Sequence, residues 1–135
     1  MTPEQITLVK SSWAKVVPIA DQAADIFYGR LFEVAPSVRP LFKDDMTAQK
    51  KALMGILATA VNGLDDLEAI VPAVQAMGAR HATYGAEPAH YDVVGECLIY
   101  TLEQGLGDSF TPEIKSAWVM TYTTLADVMK AGADS

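Results

Sequence analysis

Ile70-Val71-Pro72-Ala73-Val74-Gln75-Ala76-Met77-Gly78-Ala79-Arg80-His81 is the stretch on which the reading of this chain turns. Ile70, Val74, Met77, Gly78 and His81 follow one another in steps of four, three, one and three residues, which keeps all five on one stripe of a helix. The stripe is apolar up to its last member, an imidazole, one of only two in the chain. A histidine aimed into an apolar interior needs a partner for its ring nitrogens. A neighbouring carbonyl or hydroxyl is the ordinary partner, because buried polar groups are usually paired. The metal of a buried macrocycle is another.

Outward from this helix, expected from Asp66 to Ala82 with a kink or a broken start at Pro72, every regular segment reads as helix. Thr2-Pro3-Glu4-Gln5 is a capped start, and Ile6, Val9, Trp13 and Val16 continue as a stripe to Pro18. From Asp21 to Val34, Ala24, Phe27, Tyr28, Leu31 and Phe32 trace a wide buried face. Pro36-Ser37-Val38-Arg39-Pro40-Leu41-Phe42 forces a corner, with Lys43-Asp44-Asp45 exposed after it. Thr47 is placed to cap a helix over 48–62, whose buried line is Leu53, Ile56, Leu57, Ala60 and Leu64. Gln49 extends that line into the first turn, and Asn62-Gly63 stops it. Tyr84-Gly85-Ala86-Glu87-Pro88 is read as a loop. A long helix then carries Tyr91, Val94, Leu98 and Leu102 and ends among Gly105 and Gly107. The last helix starts at Thr111-Pro112-Glu113 and uses Ile114, Trp118, Tyr122, Leu125 and Met129, and the tail 131–135 is expected to fray. The fold class is therefore all-α, with residues 1–135 as one domain.

Composition narrows the function. A net charge of −7 argues against nucleic acid and anionic membranes as partners. No apolar run reaches the roughly 18 residues of a membrane span. The acidic, polar start does not resemble a secretory signal, so the expected localisation is cytoplasmic. One cysteine, Cys97, excludes an internal disulfide, and with two histidines leaves too few soft ligands for a structural zinc site. Cys97 reads as a small buried residue and His90 as surface. There is no nucleophile with a histidine partner, no glycine-rich phosphate loop and no paired His–Glu zinc motif. The acidic pairs Asp44-Asp45 and Asp65-Asp66 read as caps and solvated charge.

Taken singly, each candidate has an ordinary explanation: a paired core histidine, a solvated glutamine, aromatic side chains as core. Together they suit one task. Gln49 and His81 each project from an apolar stripe, Phe42 stands at the proline-bounded corner, and Tyr28 adds a phenol from another apolar face. Such a set can hold a flat apolar cofactor, coordinate its metal on one side and offer hydrogen bonds to a ligand on the other.

The segments Phe27-Tyr28-Gly29-Arg30-Leu31-Phe32, Pro36 to Phe42, Gly78-Ala79-Arg80-His81, Val94-Gly95-Glu96-Cys97-Leu98, and Ala117-Trp118 with Tyr122, in that order, resemble the globin family. The likeness runs over nearly the whole chain. It is strongest to single-domain bacterial haemoglobins and the globin heads of flavohaemoglobins, and from Gly78 to Met129 also extends to neuroglobin. The resemblance implies haem b (iron protoporphyrin IX) as cofactor. It implies His81 as the proximal iron ligand, Phe42 stacked on the porphyrin, Gln49 and Leu53 on the distal side, Tyr28 as the distal tyrosine, and Tyr91 near the proximal ligand. Glutamine is a poor iron ligand where neuroglobin has histidine, so a five-coordinate ferrous haem is expected. Ala133 stands where flavohaemoglobins carry a glutamate, which places in doubt the charge relay to the proximal histidine.

The function this implies is reversible binding of dioxygen, with carbon monoxide and nitric oxide as further ligands, for transport, storage or buffering. Two rivals accompany it. One is a nitric oxide dioxygenase. Because the chain ends right after the globin-like part, it is expected to need a separate reductase. The other is a gas sensor read by a partner protein. A haem-free regulatory globin is a fourth reading, opposed by His81 with Phe42. The oligomeric state is left as monomer or homodimer.

Overall fold

The computed structural model of the chain describes residues 2–42, 44–83 and 88–134. The side chains of Leu41, Met77, 80–83, 88–89 and 133–134 lie outside that description. All regular structure among the described residues is helical. The elements are α1 (Pro3–Val16), α2 (Ala20–Val34), α3 (Thr47–Asn62), α4 (Leu67–Thr83), α5 (Pro88–Leu106) and α6 (Pro112–Asp134), joined in places by short 3₁₀ turns. None of these helices is long and apolar enough to cross a membrane.

Local chemistry sets several ends. At α1 the Thr2 hydroxyl accepts from the Gln5 amide at 3.1 Å, and the Gln5 side chain accepts from the Thr2 amide at 2.9 Å, the reciprocal cap that the sequence predicts. Gly107, at φ 54°, takes the left-handed conformation that ends α5. Pro36–Leu41 winds into 3₁₀ turns, which makes the proline-bounded corner.

Three expectations are corrected. Thr47 does not cap α3; it is the first helical residue, and Asp45 Oδ1 accepts its amide at 3.0 Å. A carboxylate two residues earlier in the chain serves as well as a hydroxyl at the cap. α4 runs unbroken through Pro72, which lies early enough to remove a single helical hydrogen bond. Through Asp134 the tail is helical: α6 is docked on α4 and Gly132 is buried there, while Ser135 lies outside the described residues. The predicted loop 84–88 falls on residues outside the description, apart from Pro88, which opens α5.

The helices pack as α4 on α6, α2 on α5, α1 on α6 and α2 on α3, with α5 also against α6. The core is built from Val9, Trp13 and Val16 of α1, Phe27 and Leu31 of α2, Leu98 and Leu102 of α5, and Trp118 of α6. Each such side chain, fully buried, contributes roughly 1.5–3 kcal/mol. Cys97 is also fully buried, and burial, with the neighbouring Glu96 carboxylate, pushes its thiol up to about 12. His90, expected at the surface, is half-buried in the first turn of α5.

Trp118 organises the centre. Its ring lies 6.2 Å from that of Trp13, and its indole N–H donates to Ser12 Oγ at 2.8 Å. The Ser12 hydroxyl in turn serves the carbonyls of Leu8 at 2.8 Å and Val9 at 3.0 Å. Ser12→Ala leaves the indole donor buried without an acceptor and is expected to cost about 1–3 kcal/mol. In urea melts, a double-mutant cycle with Trp118→Phe checks this: the Ser12→Ala penalty should shrink once the indole N–H is gone.

Candidate functional site

α2 presents Ala24, Phe27, Tyr28 and Leu31 as one buried face, and this brings the Tyr28 phenol inside. Tyr28 is only 4 % exposed, so its oxygen needs a partner. Gln49 supplies it from α3, Nε2 donating to the phenol oxygen at 3.1 Å. Burial raises the phenol above the ordinary tyrosine range, and the Gln49 bond draws it part of the way back. Tyr28 therefore stays protonated at neutral pH. The amide takes a lone pair of the oxygen and leaves the hydroxyl hydrogen free for another acceptor.

The corner sets Phe42 against this pair. Its ring packs edge-on against Tyr28 at 5.7 Å and against Phe32 at 5.6 Å, while Phe27 meets Tyr28 at 5.0 Å. Such contacts contribute roughly 0.5–1.5 kcal/mol each beyond their buried area. Arg39 steadies the corner by donating to the Phe42 carbonyl at 3.3 Å, with its guanidinium 4.9 Å from the centre of the Phe32 ring. The sequence reading left Phe32 without a role at the site, although its i+4 spacing from Tyr28 on an apolar face was visible.

Leu53 lies one turn beyond Gln49 on the same face of α3. The expected buried line of this helix is only half realised. Ala60 and Leu64 are buried and Leu53 and Leu57 half-buried, but Ile56 is 38 % exposed. Among the described residues α3 packs mainly on α1 and α2. Its apolar strip of Leu53, Ile56 and Leu57 is only partly covered by them. Near its start α3 is held to α2 by Lys50, whose ammonium lies 2.8 Å from Asp25 Oδ1. This ion pair has no local sequence signature, and it engages the one cation next to Gln49.

These residues fit a flat apolar macrocycle. The wall of Leu53, Leu57 and Phe42 is apolar, and its polar groups, the Tyr28 phenol and the Gln49 amide, are neutral. A charged metabolite would find no counter-ion among them. Among the described residues no group of three or more histidine, cysteine or carboxylate side chains gathers to hold a metal by itself. His81 lies in the last turn of α4, but its side chain is outside the described residues.

Tyr91 is buried apart from this cluster. It lines a groove of about 370 Å³ between α5 and α6, with Gly95, Ile99, Val119 and Tyr122. Tyr122 donates to the Tyr91 carbonyl at 2.6 Å, and the Lys130 ammonium lies 5.6 Å from the Tyr91 ring centre. Gly95 permits this bond, since a Cβ there would stand 2.7 Å from the Tyr122 ring. Burial raises both phenols above their ordinary value.

Comparison with known proteins bears on the whole arrangement. The globin family model matches residues 25–129. The chain is 34 % identical over 131 residues to a flavohemoprotein of Bacillus subtilis (strain 168), a match that covers 90 % of this chain and 31 % of that protein. With a flavohemoprotein of Vibrio cholerae the identity is 31 % over 137 residues, covering 95 % of this chain and 33 % of the relative. The chain thus spans about a third of the length of these curated relatives. Its fold superposes on a bacterial globin from Campylobacter jejuni with a TM-score of 0.83, at 26 % identity, over 98 % of this chain and 96 % of the other. With a family match over most of its length and a fold that agrees end to end, the chain belongs to the globin family.

Proposed function

We propose that this globin carries haem b and reversibly binds dioxygen, with Tyr28 as the hydrogen-bond donor to the gas. The observation that carries the reading is the Gln49–Tyr28 bond beside Phe42, next to the partly buried apolar side chains Leu53 and Leu57. When bound, haem would supply an iron able to take up a diatomic molecule. In this reading His81 tethers the iron, Phe42 and Leu53 hold the ring and exclude water, and Tyr91 supports the tethered side.

The distal chemistry follows from the chain's own groups. Gln49 fixes the phenol oxygen from the acceptor side, so the Tyr28 hydrogen is turned away from Gln49 and is available to a ligand. Dioxygen draws electron density toward its outer atom and gains from such a donor, while carbon monoxide draws less and gains less. Lys50 is held by Asp25 and Gln49 is a weak ligand, so neither would compete with a gas for the iron.

A second reading is favoured by one observation, the flavohemoprotein relatives of which this chain matches a third. It is oxidation of nitric oxide: one nitric oxide, one dioxygen and one electron give one nitrate. The electron comes from a reductase, and the same distal donor would hold dioxygen for the reaction.

Four outcomes test these readings. The reduced protein without gas should show one broad visible absorption band, and two sharp bands would mean that a side chain occupies the sixth position. Tyr28→Phe should speed dioxygen release by about ten- to a hundredfold, matching a lost donor of roughly 1–3 kcal/mol, and change carbon monoxide release far less. Because burial raises the phenol, dioxygen release from the parent should stay flat as pH rises to about 10, the ordinary tyrosine value. Nitric oxide added to the oxygenated protein with a flavin reductase and reduced nicotinamide should be consumed in one stoichiometric burst if binding is the function. Sustained turnover would favour the dioxygenase.

A further inference from the structure

We propose that Gly78 and Gly132 form a backbone lock between α4 and α6 that positions His81. The inference rests on the reading of His81 as the iron's tether and adds what sets its place.

The contact between these helices is reciprocal. A Cβ at Gly78 would stand 1.9 Å from the Met129 carbonyl oxygen, and one at Gly132 would stand 2.1 Å from the Gln75 carbonyl oxygen. Met129 precedes Gly132 by three residues, and Gln75 precedes Gly78 by three. One turn of α4 therefore rests directly on one turn of α6, main chain on main chain, at two points. Both glycines are buried. Ordinary contact begins at 3.4 Å, so an alanine methyl at Gly78 requires the helices to part by about 1.5 Å. The facing atoms belong to backbone, so no side-chain rotamer can absorb that shift.

His81 follows Gly78 by three residues in the same helix. At about 1.5 Å of rise per residue the contact lies within roughly 5 Å, measured along the axis, of the turn that carries the imidazole. A rigid helix passes a displacement at Gly78 to His81 almost undiminished. Gly132 meets the turn before it, at Gln75, from the other helix, 54 positions along the chain from Gly78. The opposite wall is built differently. A Cβ at Gly55 of α3 or at Gly29 of α2 would meet nothing within 4 Å. Gly78 and Gly132 are positioning residues, acting through the separation of two helices.

The experiment uses the full chain, haem-loaded, ferrous and free of gas, and reads the iron–imidazole stretching band by resonance Raman spectroscopy. Gly78→Ala and Gly132→Ala should both shift the band in the same direction, and Gly55→Ala should leave it in place. An unmoved band in both variants overturns the lock. The reading of His81 is tested separately: a parent band that survives His81→Ala sinks the tether, and the positioning role with it. A second readout needs no cofactor. In hydrogen exchange on the haem-free chain, amides 75–81 should open faster in both glycine variants than in Gly55→Ala. Should either variant fail to fold, the parent alone decides. Its amides around 75–78 and 129–132 should exchange as one cooperative unit, and independent, faster opening of α4 refutes the lock.

Discussion

The Gln49 amide resting on the Tyr28 phenol oxygen is the contact on which the geometry of the site depends. It joins α3 to α2 at the one place where α3 carries a polar group on its inward face. Without it the buried phenol would lack an acceptor-side partner, and Gln49 would have no reason to point inward from an exposed turn. With it the phenol is oriented, burial keeps it neutral, and its hydrogen is turned away from Gln49. A neutral pair in an apolar setting is stronger than the same pair in water and carries no desolvated charge. The Lys50–Asp25 ion pair outside it is largely solvent-exposed, and pairs of that kind contribute little by themselves.

The two flanks of the fold differ in how they are held. α4 and α6 meet through bare backbone at Gly78 and Gly132, a contact whose spacing admits no adjustment. α1, α2, α5 and α6 interlock around Trp118, whose indole N–H is satisfied by Ser12 in the middle of the core. Among the described residues α3 is held mainly by α1 and α2. A helix with Leu53, Ile56 and Leu57 on one face would ordinarily bury all three, and here polypeptide leaves them partly uncovered. Partial exposure of such a face, beside Tyr28 and Phe42, is compatible with an apolar cofactor and with membership of the globin family.

Much of this was legible beforehand where the signal was local. The cap at Thr2 and Gln5 depends on residues three apart, and it forms as read. Phe42 and Tyr28 come together as expected, because a proline-bounded corner after an amphipathic helix has few ways to fold. The errors share another cause. Ile56 fits the periodicity of a buried face but lies where no other helix covers it. The tail 131–134 looks like a fraying end by composition and is helical because α6 docks on α4. Pro72 looks like a break and is tolerated because one missing hydrogen bond in a packed helix is a small loss. In each case periodicity or composition described the segment correctly and could not report its neighbour.

From residue order alone came the helices, the corner, and the placing of the imidazole, phenol, amide and corner phenylalanine on apolar faces. Those features are set by backbone sterics and by the separation of oil from water along a single segment, so they can be read without knowing what lies opposite. Distance between segments obeys a different logic. The amide donating to the phenol, the ammonium captured by Asp25, and two glycines laying one main chain on another all depend on groups remote in the chain. Which of them meet is settled when the helices pack, since packing selects among many compatible pairings by shape and by the satisfaction of every buried polar atom.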